Sequence, residues 1–279
     1  MRELLGKPVA ESIVESLVPH VEAMKQKAVV PTLAVIRVGA REDDLAYERG
    51  LTKRFEGANC AVKKIELPED VTQELLDAAV ASADSDPSID GILMFRPLPK
   101  TLTDKNVLNT ISALKDVDGM GKANMADIFS GAGEGHAPCT AQAVIEILKF
   151  YGIDIKGKKV TVVGRSLVIG KPVALLLTTA NATVTVCHTK TVNVEEECRR
   201  ADIIVACCGV AKLINANYVK EGQIVIDVGM NVDEEGKLCG DVDYDSVSEI
   251  AEAVTPVPGG VGSITTAILL RHVVNNAER

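Results

Sequence analysis

Short runs of Val, Ile and Leu recur along the chain, each followed by a longer stretch in which apolar residues return every three or four positions. PTLAVIRVG precedes a helical pattern over 42–58, AVKKIEL precedes one over 72–83, and DGILMF precedes one over 103–112. Strands alternating with amphipathic helices pair in parallel through right-handed crossovers, so this half predicts an α/β unit. From 115 to 140 the periodicity gives way to KDVDGMGKANMADIFSGAGEGHAPCT, rich in Gly and polar residues, which predicts a domain seam and cleft wall. CTAQAVIEILKFYG then predicts a helix capped by Thr140 and closed by Gly152, and KKVTVVG, ATVTVCH, DIIVACCG and QIVIDVG follow as strands of a second sheet. The closing stretch VGSITTAILLRHVVNNAE is an amphipathic helix expected to pack back on the first domain, and the opening MRELLGKPVAESIVESL reads as another helix.

The pattern implies an α/β protein of two domains with a cleft between them. The first is an α/β domain over 1–138, completed by a C-terminal helix over 262–279. The second is a Rossmann-type, doubly wound parallel-sheet domain over 139–261.

Composition narrows the partners. A chain of 279 residues with 47% hydrophobic content can bury two modest cores. Its net charge of -9, with no basic stripe, argues against nucleic acid and anionic membrane surfaces, and no apolar run reaches membrane-spanning length. Small-molecule ligands and a cytoplasmic location are expected. Seven scattered cysteines without a CxxC motif read as reduced, buried thiols, and the four histidines lie too far apart in sequence to suggest a metal site.

GRSLVIGKP (164–172) joins the strand KKVTVVG to the helix KPVALLLTTA, with Pro172 suited to the first helical turn. A strand, a Gly-containing turn and a helix N-terminus favour a pyrophosphate, because backbone N–H groups and the helix dipole both attract an anion. Gly164 and Gly170 depart from the GxGxxG spacing. An NAD site commonly carries Asp or Glu at the end of the next strand, whereas this chain has CHTKT. His188, Thr189 and Lys190, with Arg165, form a cationic setting that favours the 2′-phosphate of NADP, NAD being the alternative.

On a helix, AYERGLTKRF (46–55) places Tyr47, Leu51 and Arg54 on one face. By itself that is a packed helix with a tyrosine hydroxyl at its rim. The stretches KDVDG, GRSLVIGKP, IDVGMN and TPVPGGVGSITTAILL, supported by VGAREDDLAYERG and RPLPK, change the reading. Together they resemble the methylenetetrahydrofolate dehydrogenase/methenyltetrahydrofolate cyclohydrolase family from the first helix to the last.

The resemblance implies a folate-binding catalytic domain and an NAD(P)-binding domain, a tetrahydrofolate substrate, a role in one-carbon metabolism and a homodimer. It assigns Tyr47 to the pterin ring and Asp118 to its donor edge as the catalytic pair. Arg96, Pro97 and Leu98, with Pro258, Gly259, Gly260 and Val261, join them around the substrate. Gly164, Arg165, Ser166, Gly170, His188, Thr189 and Met230 fall to the cofactor. Physical chemistry agrees on the residue types: one carboxylate accepts two hydrogen bonds from an aminopyrimidinone edge, an aromatic face stacks on the ring, and a Gly-Gly pair lets backbone approach a flat ligand.

Three positions depart from the family pattern, one of them Arg96, which stands where the family commonly has an apolar residue. The family's Tyr-x-x-x-Lys lysine, the proton-handling group of the hydrolytic step, falls on Leu51, and the glutamine that supports it falls on Phe95. Lys53 faces another side of the helix, and Arg54 lies one turn farther along. Dehydrogenation moves a hydride from the methylene bridge to the nicotinamide and needs positioning, whereas ring opening to 10-formyltetrahydrofolate needs a group of tuned pKa. The expectation is therefore an intact dehydrogenase with weak or absent cyclohydrolase activity. A fully bifunctional enzyme using Arg96 or Lys53 is the first alternative, and a non-catalytic cofactor-binding protein the second.

Overall fold

The computed structural model describes residues 1–104 and 107–279. They form two compact units, Ser12–Cys139 with Thr266–Arg279, and Met1–Glu11 with Thr140–Thr265.

In chain order the elements are β1 (Arg2–Glu3), α1 (Gly6–Gln26), β2 (Thr32–Val38), α2 (Glu42–Gly57), β3 (Ala61–Leu67), α3 (Gln73–Ser85), β4 (Gly91–Met94), α4 (Val107–Thr110), α5 (Lys122–Ser130) and α6 (Cys139–Phe150). There follow β5 (Lys159–Val163), α7 (Gly170–Thr179), β6 (Thr183–Cys187), α8 (Val194–Arg200), β7 (Ile203–Ala206), β8 (Ile224–Asp227), β9 (Asn231–Val232), β10 (Leu238–Cys239), α9 (Tyr244–Ser248), β11 (Ala253–Val254) and α10 (Thr265–Ala277).

The unit built around Ser12–Cys139 holds a three-stranded parallel sheet in the order β3-β2-β4. Central β2 is buried along nearly its whole length, as expected of a strand covered on both faces, and Ile36, Val38, Leu76, Val80, Ile92 and Met94 share its core. Helix α3 starts at a Thr72 cap whose hydroxyl accepts from Leu75 N at 3.4 Å. Helix α2 buries Glu48, Leu51 and Phe55, one stripe at helical spacing.

The other unit holds a six-stranded parallel sheet, β1-β11-β8-β7-β5-β6. Strand order reverses beside β5, since β6 follows on one side and β7 on the other. That reversal is the crevice where open α/β sheets take ligands, at the carboxyl ends of the strands.

The structure corrects the sequence reading at several points. Residues 1–11 do not join the first domain, because Arg2 and Glu3 pair in parallel with Ala253 and Val254 at the margin of the six-stranded sheet, and the first helix begins only at Gly6. Residues 262–265 also belong to that unit rather than to the C-terminal helix's unit. The aperiodic seam contains α5, started by the buried Asp116 carboxylate, which accepts from Gly121 N at 2.7 Å, and ended by Gly131 at φ 70°. Thr140 stands inside the first turn of α6, which begins at Cys139. Of the helix expected over 103–112, α4 accounts for Val107–Thr110, and 105–106 lie outside the described residues.

Candidate active site

In the first unit, α2, the residues after β4 and the segment after α4 carry three expected residues, Tyr47, Arg96 and Asp118, with Phe95 among them. Tyr47, 42% exposed, meets buried Phe95 edge-on with ring centroids 5.6 Å apart. Arg96 follows Phe95, and its Nη2 reaches Asp118 Oδ2 at 3.4 Å, with both side chains partly buried. Burial pushes the Asp118 carboxyl up to about 6; Arg96 pulls it down and neighbouring Asp116 adds to the rise. Pro97 is exposed, whereas Leu98 packs on the unit's own core.

Behind Asp118 lies a buried polar backing. His272 Nδ1 donates to the Val117 carbonyl at 2.8 Å, Cys139 Sγ donates to the same carbonyl at 3.4 Å, and the His136 ring stacks on His272 at 4.4 Å. Burial, with His136 alongside, depresses His272 to about 3, so it is neutral across the physiological range.

Leu51 is 0% exposed, and Phe95 is buried as well. The position that the resemblance assigns to a lysine is therefore a core position here. Lys53 is exposed and Arg54 half-buried. A feature the sequence did not announce lies on the same helix: Glu48 is buried, bonded to Arg37 Nε at 3.0 Å and Lys64 Nζ at 2.8 Å, while Arg37 Nη2 holds Glu66 at 2.7 Å. Against the upward push of burial, the hydrogen bonds from Lys64 and Arg37 hold Glu48 below the usual carboxylate range.

In the second unit, Gly164 follows β5 at the strand-order reversal with φ 133°, and an added Cβ would overlap the Cys207 carbonyl that follows β7. Arg165 and Ser166 stand exposed beyond it, and Ser166 Oγ accepts from Ile169 N at 3.1 Å and Gly170 N at 3.4 Å at the start of α7. His188 Nδ1 accepts from Lys190 N at 3.1 Å, which folds CHTK into a tight turn with Thr189 and Lys190 outward. A glycine turn at the switch point, a helix N-terminus and outward cationic groups fit a dinucleotide phosphate.

Met230, 69% exposed, lines a cavity of about 270 Å³ together with Asp227, Gly229 and Pro256–Gly260. The cofactor residue Met230 thus shares one pocket with the substrate residues Pro258, Gly259 and Gly260. Val261, expected beside them, is 1% exposed and buried in the core. Among the described residues there is no cluster of His, Cys, Asp or Glu that could hold a metal ion, and no helix is long and apolar enough to cross a membrane.

The family model for the tetrahydrofolate dehydrogenase/cyclohydrolase catalytic domain matches residues 4–118, and that for its NAD(P)-binding domain matches 138–279. This chain belongs to the tetrahydrofolate dehydrogenase/cyclohydrolase family. Within it, the chain is 48% identical to the bifunctional protein FolD of Clostridioides difficile, over 96% of this chain and 94% of that protein. The crystal structure of the bifunctional FolD enzyme from Campylobacter jejuni superposes with a TM-score of 0.97 at 38% identity, covering 100% of this chain and 99% of that one. A Trypanosoma brucei methylenetetrahydrofolate dehydrogenase-cyclohydrolase complexed with NADP and an inhibitor gives a TM-score of 0.92 at 34% identity, covering 99% and 96%.

As a member of this family, the protein is an NAD(P)-dependent tetrahydrofolate dehydrogenase, of the α/β two-domain class the sequence predicts. The expectation of weak or absent cyclohydrolase activity finds no support in these relatives, which are described as bifunctional; the bifunctional alternative fits them better.

Proposed function

We propose that this dehydrogenase oxidises 5,10-methylenetetrahydrofolate to the 5,10-methenyl form with NADP as acceptor, and hydrolyses that product to 10-formyltetrahydrofolate. The observation that carries the reading is the grouping of Tyr47, Phe95, Arg96 and Asp118 at one end of the three-stranded unit. Asp118 accepts N–H donors of the pterin, and the exposed face of Tyr47 stacks on its ring. In the other unit, Pro258, Gly259 and Gly260 offer backbone for close approach of a flat ligand. The Gly164 turn and the α7 N-terminus hold the pyrophosphate, with Arg165 and Thr189 toward the 2′-phosphate. When bound, the dinucleotide supplies a nicotinamide ring that takes up the hydride. Oxidation then asks the protein for orientation alone.

Hydrolysis asks for more. Asp118 titrates near 6 beside Arg96, within the range of useful general acid–base groups, and the pair supplies charge where Leu51 supplies none. The relatives' bifunctional descriptions support this half of the proposal. A second reading, dehydrogenase alone, is favoured by one observation: Leu51, at the position the resemblance assigns to lysine, is fully buried, and Phe95, at the position it assigns to glutamine, is buried and apolar.

Two rates separate the readings, formation of reduced cofactor from methylenetetrahydrofolate and enzyme-dependent loss of methenyltetrahydrofolate absorbance. Hydrolysis well above the spontaneous rate, and lost in Arg96→Leu, supports the bifunctional reading. Hydrolysis at the spontaneous rate, with dehydrogenation intact, leaves the dehydrogenase alone. Absence of both, with NADP still bound, returns the non-catalytic alternative.

A homodimer in the cytoplasm completes the proposal. Strand β6 is an outer strand of the six-stranded sheet and exposes Val186, while Leu167 and Val168 stand exposed near the start of α7, apolar surface suited to a second copy. Sedimentation equilibrium tests it; a monomer at micromolar concentration would count against it.

A further inference from the structure

Two buried carboxylates in the six-stranded unit, Asp227 of the cavity wall and Asp241, have no part in the proposed chemistry. Asp241, 0% exposed, accepts from three successive backbone N–H groups that follow β7: Oδ2 from Cys208 at 2.6 Å and Gly209 at 2.9 Å, Oδ1 from Val210 at 3.0 Å. Oδ1 also accepts from Asn231 Nδ2 at 2.9 Å, next to Met230. Asp227, 3% exposed, ends β8 and accepts through Oδ1 from Gly229 N at 2.9 Å and Asp241 N at 3.0 Å, and through Oδ2 from Val242 N at 3.0 Å.

The two side chains therefore work in series. Asp227 holds the backbone of Asp241, and Asp241 holds the loop after β7 and, through Asn231, the loop carrying Met230. An added Cβ at Gly240 would overlap the Asp227 carboxylate, and one at Gly229 would overlap that of Asp241, so the backbone is shaped to admit both. Only an acceptor with two oxygens and no N–H of its own satisfies such a set of donors; an asparagine would turn N–H groups against N–H groups.

Successive backbone N–H groups at the end of a strand form a nest that attracts anions, and this nest lies at the strand-order reversal, where a dinucleotide phosphate would otherwise find it. Here the chain's own carboxylate fills it. We propose that Asp241 and Asp227 are positioning residues for dinucleotide binding: they close the nest after β7 to the pyrophosphate, leaving the Gly164 turn as its seat, and lock the 208–210 and 228–231 loops into one wall. The proposal rests on the reading that Met230 and the switch point meet the dinucleotide.

The test uses the full chain, with Asn231→Ala, which cuts only the link between the two loops, and Asp241→Asn, which opposes donors to the nest. NADP binding is followed by calorimetry and turnover by steady-state kinetics at saturating folate. Loss of hydrogen bonds to a charged group raises the NADP KM and Kd by roughly tenfold in both variants. kcat at saturating NADP stays within about twofold, a split that general destabilisation does not produce. Folded variants with wild-type NADP KM, or a loss confined to kcat, overturn the proposal. Should Asp241→Asn fail to fold, Asn231→Ala decides. Wild-type protein that binds no NADP overturns the dinucleotide reading, and the proposal with it; wild-type binding with unaffected variants overturns the proposal alone.

Discussion

Arg96 Nη2 stands 3.4 Å from Asp118 Oδ2, so the carboxylate proposed to receive the pterin is already paired with a cation of its own unit. Burial raises the Asp118 carboxyl to about 6 and Arg96 restrains the rise. Folate binding needs the ionised form, so kcat/KM for the folate should fall as pH drops through about 6. Arg96→Leu removes the restraint and moves this acid limb to higher pH, while Asp118→Asn abolishes the limb along with most activity. Rate profiles between pH 5 and 8 check both (roughly the range over which such a group titrates); an unmoved limb in Arg96→Leu would assign it elsewhere.

Leu51 is core, and its truncation should behave so. Leu51→Ala is expected to cost about 2–5 kcal/mol of unfolding free energy by urea titration. Lys53→Ala, on the exposed side of the same helix, should stay within about 0.5 kcal/mol and leave hydrolysis unchanged. Loss of hydrolysis in Lys53→Ala would shift the charged role from Arg96 to Lys53.

His272 supplies a pH signature of stability. Its value is about 3 in the fold against ~6.5 unfolded, so below neutrality the unfolded chain binds the extra proton. The stabilisation is fully present above about 6.5 and is lost as pH falls toward the folded value of about 3. Stacked His136, also depressed chiefly by burial, acts in the same direction. Compared by denaturant titration over this range, His272→Asn should be less stable at pH 7 but flatter in its decline. A parallel decline in the two proteins would contradict the assignment.

Arg165 is exposed beyond the Gly164 turn, free to reach a 2′-phosphate. Arg165→Ala should raise the KM for NADP by about tenfold, the scale of one charge-assisted contact, and change that for NAD little. Equal losses for both dinucleotides would place the arginine on the shared pyrophosphate.

The sequence was most legible where hydrophobic runs were long. PTLAVIRVG, AVKKIEL and the four strands of the second sheet announce themselves by length and β-branched content, and each forms within three residues of its expected bounds. Arg2–Glu3 has no such signal, since a two-residue strand carries no period and is defined by its partner Ala253–Val254. Helix α5 was hidden by flanking glycines, because its start depends on Asp116, whose burial no local pattern reveals. Tyr47, Asp118 and the PVPGGVG loop stand out as candidates through combined motifs. The Asp227–Asp241 relay does not, although DVG and GDV lie in plain view, because its meaning is carried by backbone N–H groups that sequence does not display.

The interleaving of the two units bears on the order in which the molecule can be made. Residues 12–139 lack the helix that supplies His272 and Val273 until 266–279 emerge from the ribosome, and the other unit starts with residues 1–11, then waits through 12–139. The unit of 1–11 and 140–265 is therefore whole before the one that awaits 266–279, although most of its neighbour is made earlier, and no single cut yields two whole ones. Separating the cofactor unit would require joining residues 1–11 to 140–265 directly, a splice rather than a truncation.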